Sequence, residues 1–189
     1  MTADTYLSGK LIRLRPMRKS DAALFVKWMN DEKVRPYLVR PFAVTEAAED
    51  AWIAESSKQE QFPVKVNFVM EVIRGGRPIG VMGIQNIDWL HRNCITGTII
   101  GERDCHRKGY AADAKLVLLS YAFNTLGMHK VSSHVDARNE ASIAYGKKCG
   151  YHIEATLKDD KWKDGKWQNT VILACFQDDW QNAKDAAEH

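Results

Sequence analysis

Leu11-Ile12-Arg13-Leu14-Arg15 alternates apolar and polar side chains up to Pro16, the two-residue period of a strand with one face buried. Downstream, Leu24, Phe25, Trp28 and Met29 fall on one face at helical spacing, with Ser20 or Asp21 placed to cap that helix. After a stretch interrupted by Pro36 and Pro41, Thr45 opens a second helix running to about Ser57, with Glu46 and Glu49 at its positive end. Val66 to Ile73 and Pro78 to Ile87 flank Gly75-Gly76, which predicts a hairpin, and Cys94 to Gly101 predicts a further strand. From Tyr110 to Leu126, apolar residues Ala112, Leu116, Leu119, Phe123 and Leu126 recur at helical spacing, and Gly127 closes the segment. Lys130 to Ala137 reads as a strand. Asn139 caps a short helix ended by Gly150, with Lys147 and Lys148 in its negative last turn. Ile153 to Trp162 and Lys166 to Phe176 make a closing hairpin around Asp164-Gly165. The order β-α-α-β-β-β-α-β-α-β-β predicts an α/β protein with a mixed sheet and helices on its faces.

A chain of 189 residues suits one domain, with a core spanning about residues 10–177. A formal charge of +3 is too small to argue for nucleic acid. Cys94, Cys105, Cys149 and Cys175 have neither zinc-site nor disulfide-framework spacing, so reduced thiols and no metal are expected. Residues Met1 to Lys10 lack the basic-then-apolar pattern of a secretory signal, and no apolar run reaches membrane-spanning length. The expectation is a cytoplasmic protein with no membrane partner.

The candidate chemistry starts at His106-Arg107-Lys108-Gly109-Tyr110-Ala111, between a strand and the strongest helix. Backbone N–H groups at a loop entering a helix N-terminus can hold a pyrophosphate. Gly109 lets the backbone approach closely, and Arg107 and Lys108 add positive charge. Alone, the hexapeptide equally describes an ordinary turn with solvated basic residues.

Two further landmarks stand in register with that loop: Asn139-Glu140-Ala141-Ser142, about thirty residues on, and Cys149-Gly150-Tyr151. Together they make the chain resemble the GNAT superfamily of acetyl-CoA-dependent N-acetyltransferases, from Leu11 to about Phe176. The branch it looks most like holds ribosomal-protein N-terminal acetyltransferases of the RimJ/RimL type and spermidine acetyltransferases. That family's loop is Gln/Arg-x-x-Gly-x-Gly/Ala; Gly109 and Ala111 match it and His106 departs. The resemblance implies a GNAT-like fold with a splayed pair of parallel strands and acetyl-CoA as co-substrate. It further implies that Ile99, Ile100 and Gly101 offer backbone groups to the pantetheine arm. By the same resemblance His106, Arg107, Lys108, Gly109, Tyr110, Ala111 and Ala112 hold the pyrophosphate, and Asn139 and Ser142 contact the cofactor.

Acetyl transfer to an amine needs a proton acceptor, a polarised carbonyl, close alignment and a departing thiolate. Members of that family usually place a tyrosine four residues before the Gly of the closing Gly-Phe/Tyr pair; here that position is Gly146. Tyr145 is adjacent, but one residue along a helix is a rotation of about 100°, which points it elsewhere. Ser142, one turn before Gly146, is one substitute; Tyr145 bending into the space left by Gly146 is the other. Asp88, Glu102 and His134 are the candidate bases.

On the acceptor side, the resemblance places the segment Lys33 to Phe42. Arg35 and Arg40 there fit an acceptor carrying a carboxylate or phosphate beside its amine, and Trp89 stands next to Asp88 as a further substrate contact. A polycation would meet basic residues in that segment, so polyamines rank low. The expected acceptor is a peptide or protein N-terminus, an amino acid or an amino sugar. A non-catalytic acyl-CoA-binding regulator on the same scaffold is the competing reading, motivated by His106 and Gly146, with a structural or nucleic-acid adaptor behind it. A homodimer is compatible with the long C-terminal hairpin.

Overall fold

The computed structural model describes residues 7–38, 42–58 and 60–188. A two-residue strand β1 (Leu7–Ser8) precedes β2 (Ile12–Pro16), and helices α1 (Ala22–Met29) and α2 (Glu46–Ser56) follow. Three long strands come next: β3 (Lys65–Val72), β4 (Pro78–Asp88) and β5 (Asn93–Ile100). Then come α3 (Tyr110–Ser120), β6 (Lys130–Asp136), α4 (Glu140–Lys148), β7 (His152–Lys163), β8 (Lys166–Phe176) and α5 (Gln177–Glu188). The described strands form one sheet in the order β1-β2-β3-β4-β5-β6-β8-β7. Each neighbouring pair is antiparallel except β5 with β6.

Alternation along the central strands buries both faces. On β4, Met82 and Ile84 join Leu118, Leu119 and Trp180 in the larger core, under α3 and α5. Val81 points the other way and meets Phe25, Trp28 and Ile53 under α1 and α2. Three layers result, with the sheet in the middle.

Most expected elements form where the pattern placed them. Thr45 caps α2 through a hydrogen bond from the Ala48 N–H. The segment from Tyr110 is α-helical to Ser120 and continues as a π-helical turn over Tyr121–Thr125 before Gly127 reverses it with φ +66°. Helix α5 was not expected. Its one buried aromatic, Trp180, makes no periodic stripe, yet it stacks 5.8 Å from the Phe123 ring and donates from Nε1 to the Leu116 carbonyl at 3.1 Å. Asp178 and Asp179 stand in its first turn, at the positive end.

Asp21 does not cap α1 with its side chain. It ends a 3₁₀ turn (Lys19–Asp21), accepts the Arg18 N–H at 2.7 Å, and receives both Nη atoms of buried Arg15 at 2.8 and 2.9 Å. Arg15 Nε reaches Glu71 of β3 at 2.7 Å, and Arg13 pairs with the same carboxylate. One guanidinium thus ties β2, β3 and the entry to α1 together. Burial alone would raise Asp21 and Glu71; hydrogen bonds from Arg15, with those of the Arg18 N–H and Arg13, hold both below the ordinary carboxylate range. Carboxylates depressed on folding contribute stability above their unfolded pKa that is lost as pH falls through the folded value. Arg15→Met should destabilise the fold by about 3–5 kcal/mol at pH 7, because buried Asp21 loses its guanidinium partner and Glu71 keeps only Arg13. Chemical denaturation between pH 7 and 4 checks this: the wild type weakens as pH falls, and the variant loses most of that dependence.

Candidate active site

Strands β5 and β6 pair over three residues only, Asn93, Cys94 and Ile95 against Lys130, Val131 and Ser132. Beyond that each strand keeps its outer partner. β5 stays with β4 as far as Gly80↔Ile100, and β6 stays with β8 as far as Asp136↔Thr170. The two ladders turn apart and leave a fork with facing strand edges. Its vertex is closed by side chains: Thr96 Oγ1 donates to the Ser132 carbonyl at 3.2 Å, and Ser133 Oγ donates to the Thr96 carbonyl at 3.3 Å.

The open edge of β5 is not quite the expected one. The Gly101 N–H is spent on the Ile79 carbonyl of β4 at 2.9 Å. Backbone groups alternate sides along a strand, so Ile99 turns toward β4 with Gly101, while Thr98 and Ile100 face the fork. Of Ile99, Ile100 and Gly101, only Ile100 presents main-chain groups there; His106 Nε2 already meets its carbonyl at 3.1 Å. Gly101 serves a different purpose: a Cβ at this position would fall inside the Trp28 ring.

Beyond the open end lies the loop from His106 into α3. Arg107 and Gly109 have positive φ, +60° and +82°, so the chain curls before Tyr110, Ala111 and Ala112 start the helix. No side chain caps α3, which leaves its first N–H groups directed outward beside exposed Arg107 and Lys108. Uncapped amides at one end and an unpaired strand edge at the other suit a ligand with a diphosphate head and an amide-bearing arm. Asn139 accepts the Ser142 N–H through its side chain at 3.0 Å and opens α4 beside the fork.

Helix α4 turns Gly146 and Tyr145 to different sides. Gly146 faces away from the fork, where an added Cβ would meet Leu173 of β8 at 3.0 Å. Tyr145, expected to point elsewhere, lays its ring toward β5 and donates its hydroxyl to Thr98 Oγ1 at 2.9 Å. The Ser142 hydroxyl also bonds Tyr145, and burial lifts the phenol above its ordinary pKa. Ser142, Tyr145 and Thr98 therefore converge as three hydroxyls on one arm of the fork.

Two candidate bases lie in other roles. The Glu102 carboxylate takes hydrogen bonds from Lys27 and Trp28 Nε1 at 2.7 Å each and from Arg77 at 2.6 Å. Led by Lys27, those donors hold it down to about 2, which removes it as a proton acceptor at neutral pH; it anchors α1 to the end of β5 instead. Asp88 closes the β4–β5 turn, taking the His91 N–H at 2.8 Å and meeting its ring at 2.9 Å; both lower its pKa, the N–H most. Trp89 packs against Phe62 and donates to the Pro63 carbonyl at 3.1 Å. Neither Asp88 nor Trp89 is among the residues lining the cleft described next.

That cleft, of about 680 Å³, opens between the segment after α1, strand β6 and the β7–β8 hairpin. Arg35, Tyr37 and Leu38 form one wall, His134 and Asp136 the floor, and Trp162 and Lys163 the other wall. Lys163 Nζ donates to the carbonyls of Leu38 at 2.6 Å and Arg35 at 3.1 Å, so the hairpin tip holds the segment in place. Burial, reinforced by Lys161, lowers His134 below the ordinary histidine value, keeping its imidazole neutral at pH 7. Arg40 lies outside the described residues. The part of the hairpin tip in this cleft was missed by sequence reasoning; Trp162, Lys163 and Asp164 beside a turn were the available signal.

The sequence of residues 12–152 matches the family model described as an acetyltransferase (GNAT) domain. The chain is 25% identical over 171 residues to the spermidine N(1)-acetyltransferase of Escherichia coli (strain K12), covering 90% of this chain and 88% of that protein. It is 28% identical over 163 residues to the uncharacterized N-acetyltransferase YoaA of Bacillus subtilis (strain 168), covering 85% and 90%. Among solved structures, the spermidine N-acetyltransferase from Vibrio cholerae in complex with CoA and spermine superposes with a TM-score of 0.80 at 21% identity, over 90% of this chain and 98% of that one. A parted pair of parallel strands, an uncapped helix entry beside it and a family match over three quarters of the sequence agree, and the chain belongs to the GNAT family of acetyl-CoA-dependent N-acetyltransferases.

Proposed function

We propose that this acetyltransferase acts on a primary amine whose own molecule also carries a carboxylate or phosphate, such as a peptide N-terminus, an amino acid or an amino sugar nucleotide. The observation that carries this is the mixed sign of the acceptor cleft. Arg35, Lys161 and Lys163 share its lining with Glu32, Asp136 and Asp164. Asp136 is held in a two-pronged pair by Arg138 at 2.7 and 3.0 Å, and Asp164 lies 3.7 Å from the same guanidinium. A polycation would find Asp136 and Asp164 already engaged by Arg138 and the cations repulsive; a zwitterion needs only Glu32 for its ammonium and brings an anion of its own for Lys161. Spermidine enzymes among the relatives support amine acetylation in general, while the charge of this cleft favours a different amine.

Bound acetyl-CoA would supply the activated acetyl group as a thioester. The residues of this chain do the rest. The loop from Arg107 to Ala112 grips the diphosphate with backbone N–H groups, and the inner edge of β5 pairs with the arm. His134, neutral and in the cleft floor, takes the proton of the attacking amine. Tyr145, steadied by Ser142 and Thr98, offers its hydroxyl to the departing sulfur, which at a solution pKa of about 8.5 leaves readily even without full protonation.

Three outcomes follow. In a thiol-release screen, peptides and amino acids with acidic groups should outpace spermidine, and Lys161→Glu should shift the ratio toward spermidine by about tenfold or more; faster spermidine turnover by the wild type would reverse the proposed acceptor class. His134→Gln should lower kcat/KM by about 10²-fold. The wild-type profile should fall below a pH that lies under 6.5, and that acid limb should vanish in the variant, as read from initial rates between pH 5 and 8. Gly109→Ala places a Cβ-bearing residue at φ +82°, a strain of about 1–2 kcal/mol. Calorimetry should then show coenzyme A binding about tenfold more weakly, with acceptor binding unchanged.

A further inference from the structure

Lys115 projects from α3 into the core and is about 1% exposed, the one buried lysine among the described residues. Its Nζ donates to Thr96 Oγ1 at 2.8 Å, at the fork's vertex. Thr96 has one hydroxyl proton, which goes to the Ser132 carbonyl, so it accepts both from Lys115 and from Tyr151, whose hydroxyl is 2.9 Å away. The rings of Tyr151 and Tyr145 stand 5.7 and 6.0 Å from Nζ.

Among the described residues no carboxylate faces this ammonium. The titratable groups packed around it are Cys94 of β5, Cys149 at the end of α4, Cys175 of β8, and the two tyrosines. All five stay protonated, since burial pushes Cys94 and Cys175 up to about 12, Cys149 up to about 11, and both phenols above their ordinary value. Burial in turn brings Lys115 down to about 8, so the cationic form still predominates at pH 7. Arg15, the other deeply buried cation, is paired with two carboxylates; Lys115 has none. Holding a charge out of water without a counter-ion costs several kcal/mol, and a leucine or methionine would fill the same space without that penalty.

The missing anion is one that the reaction makes. Acetyl transfer forms a bond from the amine nitrogen to the carbonyl carbon, breaks the carbon–sulfur bond and leaves the electron pair on sulfur, while the amine proton goes to His134. We infer that Lys115 is a positioning residue that stabilises the coenzyme A thiolate from beneath the fork through its charge, without giving up its own proton, while Thr96 holds the ammonium in place. This rests on the thioester lying at the fork, as proposed above.

The test titrates the thiol of enzyme-bound coenzyme A by its ultraviolet thiolate absorbance, with the desulfo-coenzyme A complex subtracted to remove the protein's own groups. The wild type should ionise the bound thiol about one unit or more below its solution value of about 8.5. Lys115→Met should return it to that value or above, a change of about tenfold in the ionisation constant, while thermal unfolding moves to higher temperature because a buried charge is gone. Lys115→Gln keeps a donor to Thr96 without the charge; it should shift the thiol in the same direction and stands in should the methionine variant fail to fold. A bound thiol that ionises alike in wild type and variants overturns the inference. So do variants that lose coenzyme affinity and thermal stability together, which would mark Lys115 as packing alone. A wild type that binds no coenzyme A overturns the placement of the thioester instead.

Discussion

Everything at this site depends on two neighbouring strands being held harder from outside than by each other. β5 is paired with β4 along its length, and β6 with β8, but only three residue pairs join the two. Sheet twist accumulates on either side of that short seam, and the seam opens. Such an opening would ordinarily be a liability, because exposed strand edges invite other chains. Here the edges face inward, with α3 and α4 over one side, and the vertex is fastened by the Thr96 and Ser133 hydroxyls. The register irregularity of β4 between Gln85 and Asp88 lies beside the seam, opposite the β5 residues that pair with β6.

The protein handles charge differently at the periphery and beneath the fork. Glu102 gathers Lys27, Trp28 and Arg77 and fixes the end of β5 to α1; Arg103 holds Asp31; Lys163 clamps the segment after α1. These contacts set the shape of the cleft beside β6 and the mouth of the loop. Underneath, the polar groups are hydroxyls, thiols and one ammonium. Among the described residues no carboxylate stands there, where one would neutralise the lysine.

Element identity was largely readable from periodicity, because the central strands and α3 bury wide apolar faces. Helix α5 was not, since a single tryptophan anchors it and leaves no stripe. The loop and its glycine were legible as a backbone requirement at Gly109, whose positive φ the structure bears out. Direction was harder. Ile99 and Gly101 fail as edge donors because a strand's alternation depends on register with β4, which no local pattern states. The direction of Tyr145 stayed open between pointing elsewhere and bending across, because helical spacing alone does not say which face α4 presents to the fork; the glycine packs on Leu173 and the tyrosine reaches Thr98. Glu102 read as a base from its place after β5, and only its three donors from distant parts of the chain explain its true role. Lys115 escaped notice for a similar reason, as a polar interruption in an otherwise apolar helix.

Strand alternation also divides the chemistry. On β6, Val131 and Val135 enter the core beneath α3, whereas His134 and Asp136 line the cleft on the opposite face. On β5, Thr96 and Thr98 turn toward α3 and α4, where Lys115 and Tyr145 receive them. His134 is thus separated from Lys115 and Tyr145 by the thickness of the sheet, which parts at the fork. That separation keeps a neutral histidine away from a buried ammonium, so neither depresses the other further, and one histidine and one lysine can hold opposite protonation states at the same pH.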